Sequence, residues 1–183
     1  MNAATVGRQA SKWAAPSRSG KIQEGAELVT GLASARASGG LVALSQGCFD
    51  LVHLGHLRHF KEAKAMAGIL VVAVSADEFV SSKGPDRPLF SLAERMEFIA
   101  ELECVDHVVP SRVPTAVELL RLLEPDIYIR GAEYRDTHFD DPRFVAERAV
   151  IAAYGGAVRF SGDPLVRSST HLQQQWSPQG GRA

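Results

Sequence analysis

Five short apolar runs alternate with segments of helical periodicity, and that alternation limits the fold more than anything else in this sequence. The runs are Leu41–Ser45, Ile69–Ser75, His107–Val109, Ile127–Arg130 and Ala157–Phe160. Helical spacing covers about Gly55–Ala67, Ser91–Leu102, Thr115–Leu123, Pro142–Tyr154 and Ser169–Trp176. A strand that passes through a helix into the next strand of one sheet returns by a right-handed crossover. Such a chain therefore builds a parallel sheet covered on both faces. The expected architecture is α/β, a doubly wound parallel five-stranded sheet in the order 3-2-1-4-5, with the first and fourth strands as neighbours.

Local signals mark the element ends. Ser91 with Glu94 and Thr115 with Glu118 have capping-box spacing, and Gly155-Gly156 stops the fourth of these helices. A leading helix is expected over Gln23–Ala37, weakened by Gly25 and Gly31 and packed on the sheet edge. The 183 residues suffice for about one domain, assigned to 21–176. Residues 1–20 are rich in Ala, Ser, Gly and Arg, with no acidic residue before Glu24. They read as a disordered tail, although a transit peptide has the same composition. Residues 177–183 read as a flexible C-terminal tail.

Composition removes several function classes. Lys and Arg number 20 against 21 Asp and Glu, so no sequence-wide basic field argues for nucleic acid. No apolar run approaches the roughly 18 residues of a membrane span, and no secretory signal core is visible. Two cysteines, Cys48 and Cys104, are too few for a disulfide framework or a four-ligand zinc site. A reducing cytoplasm is the expected location.

Between the first strand and its helix runs Gly47-Cys48-Phe49-Asp50-Leu51-Val52-His53-Leu54-Gly55-His56. A strand, a glycine turn and a helix start expose backbone N–H groups where the helix dipole also favours negative charge. His53 and His56, three positions apart, can face one phosphate. Attack of a phosphate on the α-phosphorus of a nucleoside triphosphate builds charge on equatorial oxygens, and fixed donors aimed there are the main need. Gly47 and Gly55 are read as allowing close approach of phosphate and nucleoside. Phe49 is assigned to the core, and Asp50 to tying the N–H groups of its own loop. His59 extends the series, but positions 0, 3 and 6 of a helix fan apart and close poorly around one zinc ion. It is read as packing or solvent-facing.

Other candidates lie along the same crevice. In doubly wound sheets ligands sit beyond the strand carboxyl ends at the switch point, which puts Gln46–His56 beside Arg130–Arg135. Lys83 and Arg87 lie in a polar segment, Ser81–Pro88, where they could close over phosphate. Arg95 is embedded in an apolar helical pattern and is expected to point back into the site. Ser168, Ser169 and Thr170 precede a short helical run, and their hydroxyls are expected to hold phosphate.

Gly47–His56, Lys83-Gly84-Pro85, Arg95, Pro125–Gly131 and Ser168-Ser169-Thr170 together resemble the cytidylyltransferase-like superfamily. The nearest likeness is to the adenylyltransferase domain of bifunctional heptose-phosphate kinase/adenylyltransferases, over about Lys21–Trp176. The resemblance implies a Rossmann-like fold of the HxGH nucleotidyltransferase type. It implies joining of a sugar or alcohol phosphate to ATP or CTP, with Mg²⁺ and release of pyrophosphate. By motif, His53 and His56 would stabilise the transition state and Lys83 would contact phosphate. Gly47, Cys48, Phe49, Gly55 and Arg95 would belong to the nucleotide site. Arg130, Gly131 and Tyr134 would line its nucleoside side, and Ser168–Thr170 would grip the β/γ end. Two positions depart from the pattern: Arg130 stands where Lys is more usual, and Arg167 where an apolar residue is.

The expected function is transfer of a nucleotidyl group to a sugar 1-phosphate, foremost heptose 1-phosphate with ATP. The rival within the family is a CTP-dependent enzyme acting on glycerol 3-phosphate or phosphoethanolamine. A rival of another class is a nucleotide-binding module without catalysis. A separate sugar kinase would supply the acceptor, and the leading helix offers an apolar face for a homodimer.

Overall fold

The computed structural model describes residues 20–162 apart from Lys83 and Pro85. Most of the 1–20 tail, the Ser169–Trp176 helix and the 177–183 tail lie outside the described residues.

Five strands form one all-parallel sheet: β1 (Leu41–Gly47), β2 (Gly68–Ser75), β3 (His107–Ser111), β4 (Ile127–Arg130) and β5 (Ala157–Phe160). Their order is β3-β2-β1-β4-β5, the expected doubly wound order. Side chains of adjacent strand residues point to opposite faces, so the apolar strands feed two cores. Val42, Leu44, Val71, Ala73, Val109 and Tyr128 meet α1 (Gly25–Ala37), α5 (Val117–Leu123) and α7 (Pro142–Ala153) on one face. Ala43, Leu70, Val72, Val74, Val108 and Ile129 meet α2 (Leu54–Ala67) and α4 (Leu92–Ala100) on the other.

Three expectations need correction. The leading helix lies on a face and not at the edge: Leu28 and Leu32 are buried in the first core, and Gly25 lets α5 approach, since a Cβ there would stand 3.1 Å from Leu122. Leu28 and Leu32 are thereby used within the domain. The β3 edge is instead met by Ile22, which bridges to Val108. The Ser91–Glu94 capping box forms, but the Thr115–Glu118 one does not. The helix starts one residue later, with Ala116 as an N-cap that has no side-chain cap, and the Ala116 N–H donates to the Glu147 carboxylate from α7 at 2.9 Å. Two short helices, α3 (Asp77–Ser81) and α6 (Ala132–Asp136), occupy stretches to which no helix was assigned. Each is five residues long, too short to show periodicity.

Candidate active site

The loop after β1 delivers His53 to the N-cap of α2 and His56 to its third residue. The two histidines cap each other. His53 Nδ1 accepts the Gly55 N–H at 3.1 Å, and His56 Nδ1 accepts the His53 N–H at 3.4 Å. Two orphan donors of the helix start are thus satisfied by imidazoles in place of the usual Ser and Glu. The rings stack with centroids 3.9 Å apart, so the HxGH spacing turns both toward one place. A neutral imidazole that accepts at Nδ1 carries its proton on Nε2. Desolvation, then the neighbouring His53 and His59, push His56 down to about 3, against a weaker opposite pull from the Leu51 carbonyl. Desolvation lowers His53 as well. Both rings are therefore neutral at neutral pH.

Phe49 shapes the floor. It adopts a left-handed φ of 49° and folds its ring edge-on to His56 and Phe60, each at 5.2 Å between centroids. That ring also explains Gly47, where a Cβ would stand 2.7 Å from Phe49 Cζ. The glycine is needed for the loop's own packing, whatever else approaches it. Phe49 belongs to the second core as expected. Gly55 supplies the N–H that His53 accepts.

Asp50 differs from expectation. It is 2% exposed, and Oδ1 accepts the N–H groups of Leu89 and Phe90 at 2.8 and 3.3 Å rather than those of its own loop. The carboxylate sits at the base of the loop and reaches the turn before α4, a tertiary link no local pattern reports. Arg95 also points inward, but toward the protein's own acceptors. Its Nε donates to the Phe90 carbonyl, and its Nη groups donate to the carbonyls of Cys48 and Ser75 and to the Asp77 carboxylate. With its side chain 1% exposed, Arg95 braces the Cys48 backbone from beneath.

On the β4 side, Arg130 Nη1 donates to the Gln46 carbonyl at 3.3 Å, which joins the two loops that the switch-point rule placed together. Its guanidinium lies 3.6 Å from the ring centroid of Tyr134 on α6. Gly131 leaves room for the Glu133 carboxylate, which comes 2.1 Å from where a Cβ would stand. Lys83, Ser168, Ser169 and Thr170 lie outside the described residues.

Several contributors were missed from sequence. His59 packs inside and does not face solvent, with bonds that spacing did not show: Nε2 pairs with Ser45 Oγ at 2.8 Å and Nδ1 with Ser161 Oγ at 2.9 Å, tying α2 to β1 and to the end of β5. Desolvation and the Arg130 charge push it down to about 4. Gln46 donates to Ser111 at 2.9 Å across the carboxyl edge of the sheet. Glu147 carried a readable signal, a carboxylate in the apolar stripe Phe144, Glu147, Ile151 of α7. Among the described residues, no cluster of three His, Cys, Asp or Glu side chains could hold a metal ion.

A doubly wound sheet with a histidine-capped loop at its switch point defines a class, the nucleotidyltransferases, and comparison with known proteins agrees. The chain belongs to the cytidylyltransferase-like family, whose model matches residues 44–152. It is 35% identical over 138 residues to the bifunctional protein HldE of Syntrophotalea carbinolica, covering 75% of this chain and 27% of that protein. It is 38% identical over 141 residues to the HldE of Chromohalobacter salexigens, covering 76% of this chain and 28% of that one. The chain thus spans about a quarter of the length of these relatives. The crystal structure of the lipopolysaccharide core biosynthesis protein from Thermoplasma volcanium matches with a TM-score of 0.53 and 28% identity, over 67% of this chain and 94% of that one. Among the described residues, no helix is long and apolar enough to cross a membrane.

Proposed function

We propose that this domain transfers the adenylyl group of ATP to a sugar 1-phosphate, foremost heptose 1-phosphate, giving an ADP-sugar and pyrophosphate. The observation that carries the reading is the reciprocal His53–His56 cap, which sets two neutral imidazoles at a helix start beside the switch point. Similarity to proteins named bifunctional HldE and to a lipopolysaccharide core biosynthesis protein favours a sugar phosphate over an alcohol phosphate as acceptor.

In this reading an oxygen of the acceptor phosphate attacks the α-phosphorus. A new P–O bond forms as the bond to the bridging β-phosphate oxygen breaks, and pyrophosphate carries away the electron pair. The attacking phosphate is already ionised at neutral pH, so no general base is required. The histidines hold hydrogen bonds to the oxygens on which charge builds, and remain neutral throughout. Mg²⁺, bound to the triphosphate, would offset its charge. Lys83 and Ser168–Thr170 would hold the triphosphate, and Arg130, Gly131 and Tyr134 the nucleoside. The acceptor would come from a kinase acting on the sugar.

The test is product identification by mass spectrometry after incubation with Mg²⁺, ATP or CTP, and a panel of phosphates. The panel holds heptose 1-phosphate, hexose 1-phosphates, glycerol 3-phosphate and phosphoethanolamine. An ADP-sugar supports the reading. A CDP-alcohol as sole product contradicts it, and so does nucleotide binding without any product.

A further inference from the structure

Arg130 presents an energetic problem. It is 8% exposed, yet no carboxylate stands against it, and among the described residues its Nε has no acceptor. A buried cation with unspent donors is costly unless something offsets the charge. The offset runs through a second residue. Nη1 donates to Tyr128 Oη at 2.7 Å, and Tyr128 Oη donates to Glu147 Oε2 at 2.9 Å. The other carboxylate oxygen, Oε1, accepts the Ala116 N–H at 2.9 Å. Tyr128 and Glu147 are 0% and 3% exposed.

Only one proton order satisfies this row. A guanidinium can only donate and an ionised carboxylate can only accept, so the phenol hydrogen must point to Glu147. The hydroxyl then offers its lone pairs to Arg130 alone. The counter-charge reaches Arg130 through one oxygen at one position, while Tyr134 covers the guanidinium and the Gln46 carbonyl takes a second bond. The cation is therefore fixed in direction at the carboxyl end of β4, with Nε left without an acceptor among the described residues.

We propose that Tyr128 and Glu147 are positioning residues for nucleotide binding: together they hold the Arg130 guanidinium as a pre-set cation for a nucleoside triphosphate. The inference rests on the reading above, in which Arg130 lines the nucleotide.

A double-mutant cycle tests it, with ATP and Mg²⁺ as the probe, Kd from calorimetry, and KM and kcat from pyrophosphate release. Tyr128→Phe removes one oxygen and should raise Kd and KM about tenfold, the worth of one buried hydrogen bond to a charged group. The loss should fall on KM and not on kcat. In an Arg130→Leu background the same change should cost nothing further, because there is no cation left to orient. Glu147→Gln keeps the shape of the site and should move KM in the same direction, so it carries the test if Tyr128→Phe does not fold. An equal loss from Tyr128→Phe in both backgrounds overturns the proposal, as does weak binding in Arg130→Leu with unchanged binding in Tyr128→Phe. Unchanged ATP affinity in Arg130→Leu itself would remove the nucleotide reading of Arg130, and the proposal with it.

Discussion

Asp50 and Arg95 grip the backbone of Phe90 from opposite sides. Asp50 Oδ1 accepts the Phe90 N–H at 3.3 Å, and Arg95 Nε donates to the Phe90 carbonyl at 3.0 Å. Arg95 also donates to the carbonyl of Cys48, two residues before Asp50. The loop that leads to His53 and the turn that leads to α4 are thus one braced unit. Its two charged side chains are spent on structure, so that the histidines above are held without being touched.

Removing the brace should cost stability first. Arg95→Met would strand buried carbonyls, each worth about 1–3 kcal/mol when unsatisfied. A total loss of about 3 kcal/mol is expected in urea unfolding. Asp50→Asn keeps an acceptor for the Leu89 and Phe90 N–H groups and should cost clearly less than Asp50→Ala. Equal losses for the two Asp50 variants would argue against the brace.

His53 has two separable tasks, helix cap and donor. Asn is a good N-cap residue, whereas Ala costs about 1 kcal/mol at that position. His53→Asn should therefore unfold near the wild-type temperature while losing at least about 100-fold in turnover. His53→Ala should lose both. Thermal unfolding alongside pyrophosphate release separates the two tasks.

Acid should destabilise the fold through its histidines. In the folded chain His56 sits at about 3 and His59 at about 4, both below the ordinary 6.5, because loss of solvent disfavours their charged forms. Between those values the unfolded chain binds the protons that the folded chain refuses. The stability held by these groups is present above about 6.5 and is lost as the pH falls through the folded values. His59→Gln should flatten the decline in a pH series of denaturant midpoints. The acid limb of kcat/KM assigned to the donors should also lie below 6.5, since His53 is shifted the same way.

Gly47→Ala would set a methyl group 2.7 Å from the Phe49 ring. Overpacking of this kind costs about 1–3 kcal/mol, and the displaced ring would disturb His56, its edge-on neighbour at 5.2 Å. Both stability and turnover should fall, and adding Phe49→Leu should restore much of the stability. No recovery in the double variant would place the glycine's role elsewhere.

What could be read from sequence follows periodicity. Alternation with right-handed crossovers leaves few topologies, of which the expected doubly wound order is the one found, and the HxGH spacing located the paired histidines. What stayed hidden depends on contacts between segments far apart in the chain. Arg95 was expected to face ligand because a charge in an apolar stripe signals a buried partner, but spacing does not say whether that partner is ligand or backbone. The acceptors prove to be backbone carbonyls and Asp77. Thr115 had the local pattern for capping α5, but the helix starts one residue later, at an N-cap, Ala116, whose side chain cannot cap. Tyr128 in a buried strand and Glu147 on an apolar helix stripe were each visible as oddities, and only the fold shows that they explain one another.

His56 separates catalysis from binding alone. Pyrophosphate release from ATP with Mg²⁺ and heptose 1-phosphate should be measured for wild type and His56→Ala, with ATP binding followed in parallel. Catalysis by the paired donors predicts wild-type turnover, and a variant that binds ATP nearly as well but turns over at least about 100-fold more slowly. Near-normal turnover by His56→Ala would contradict it.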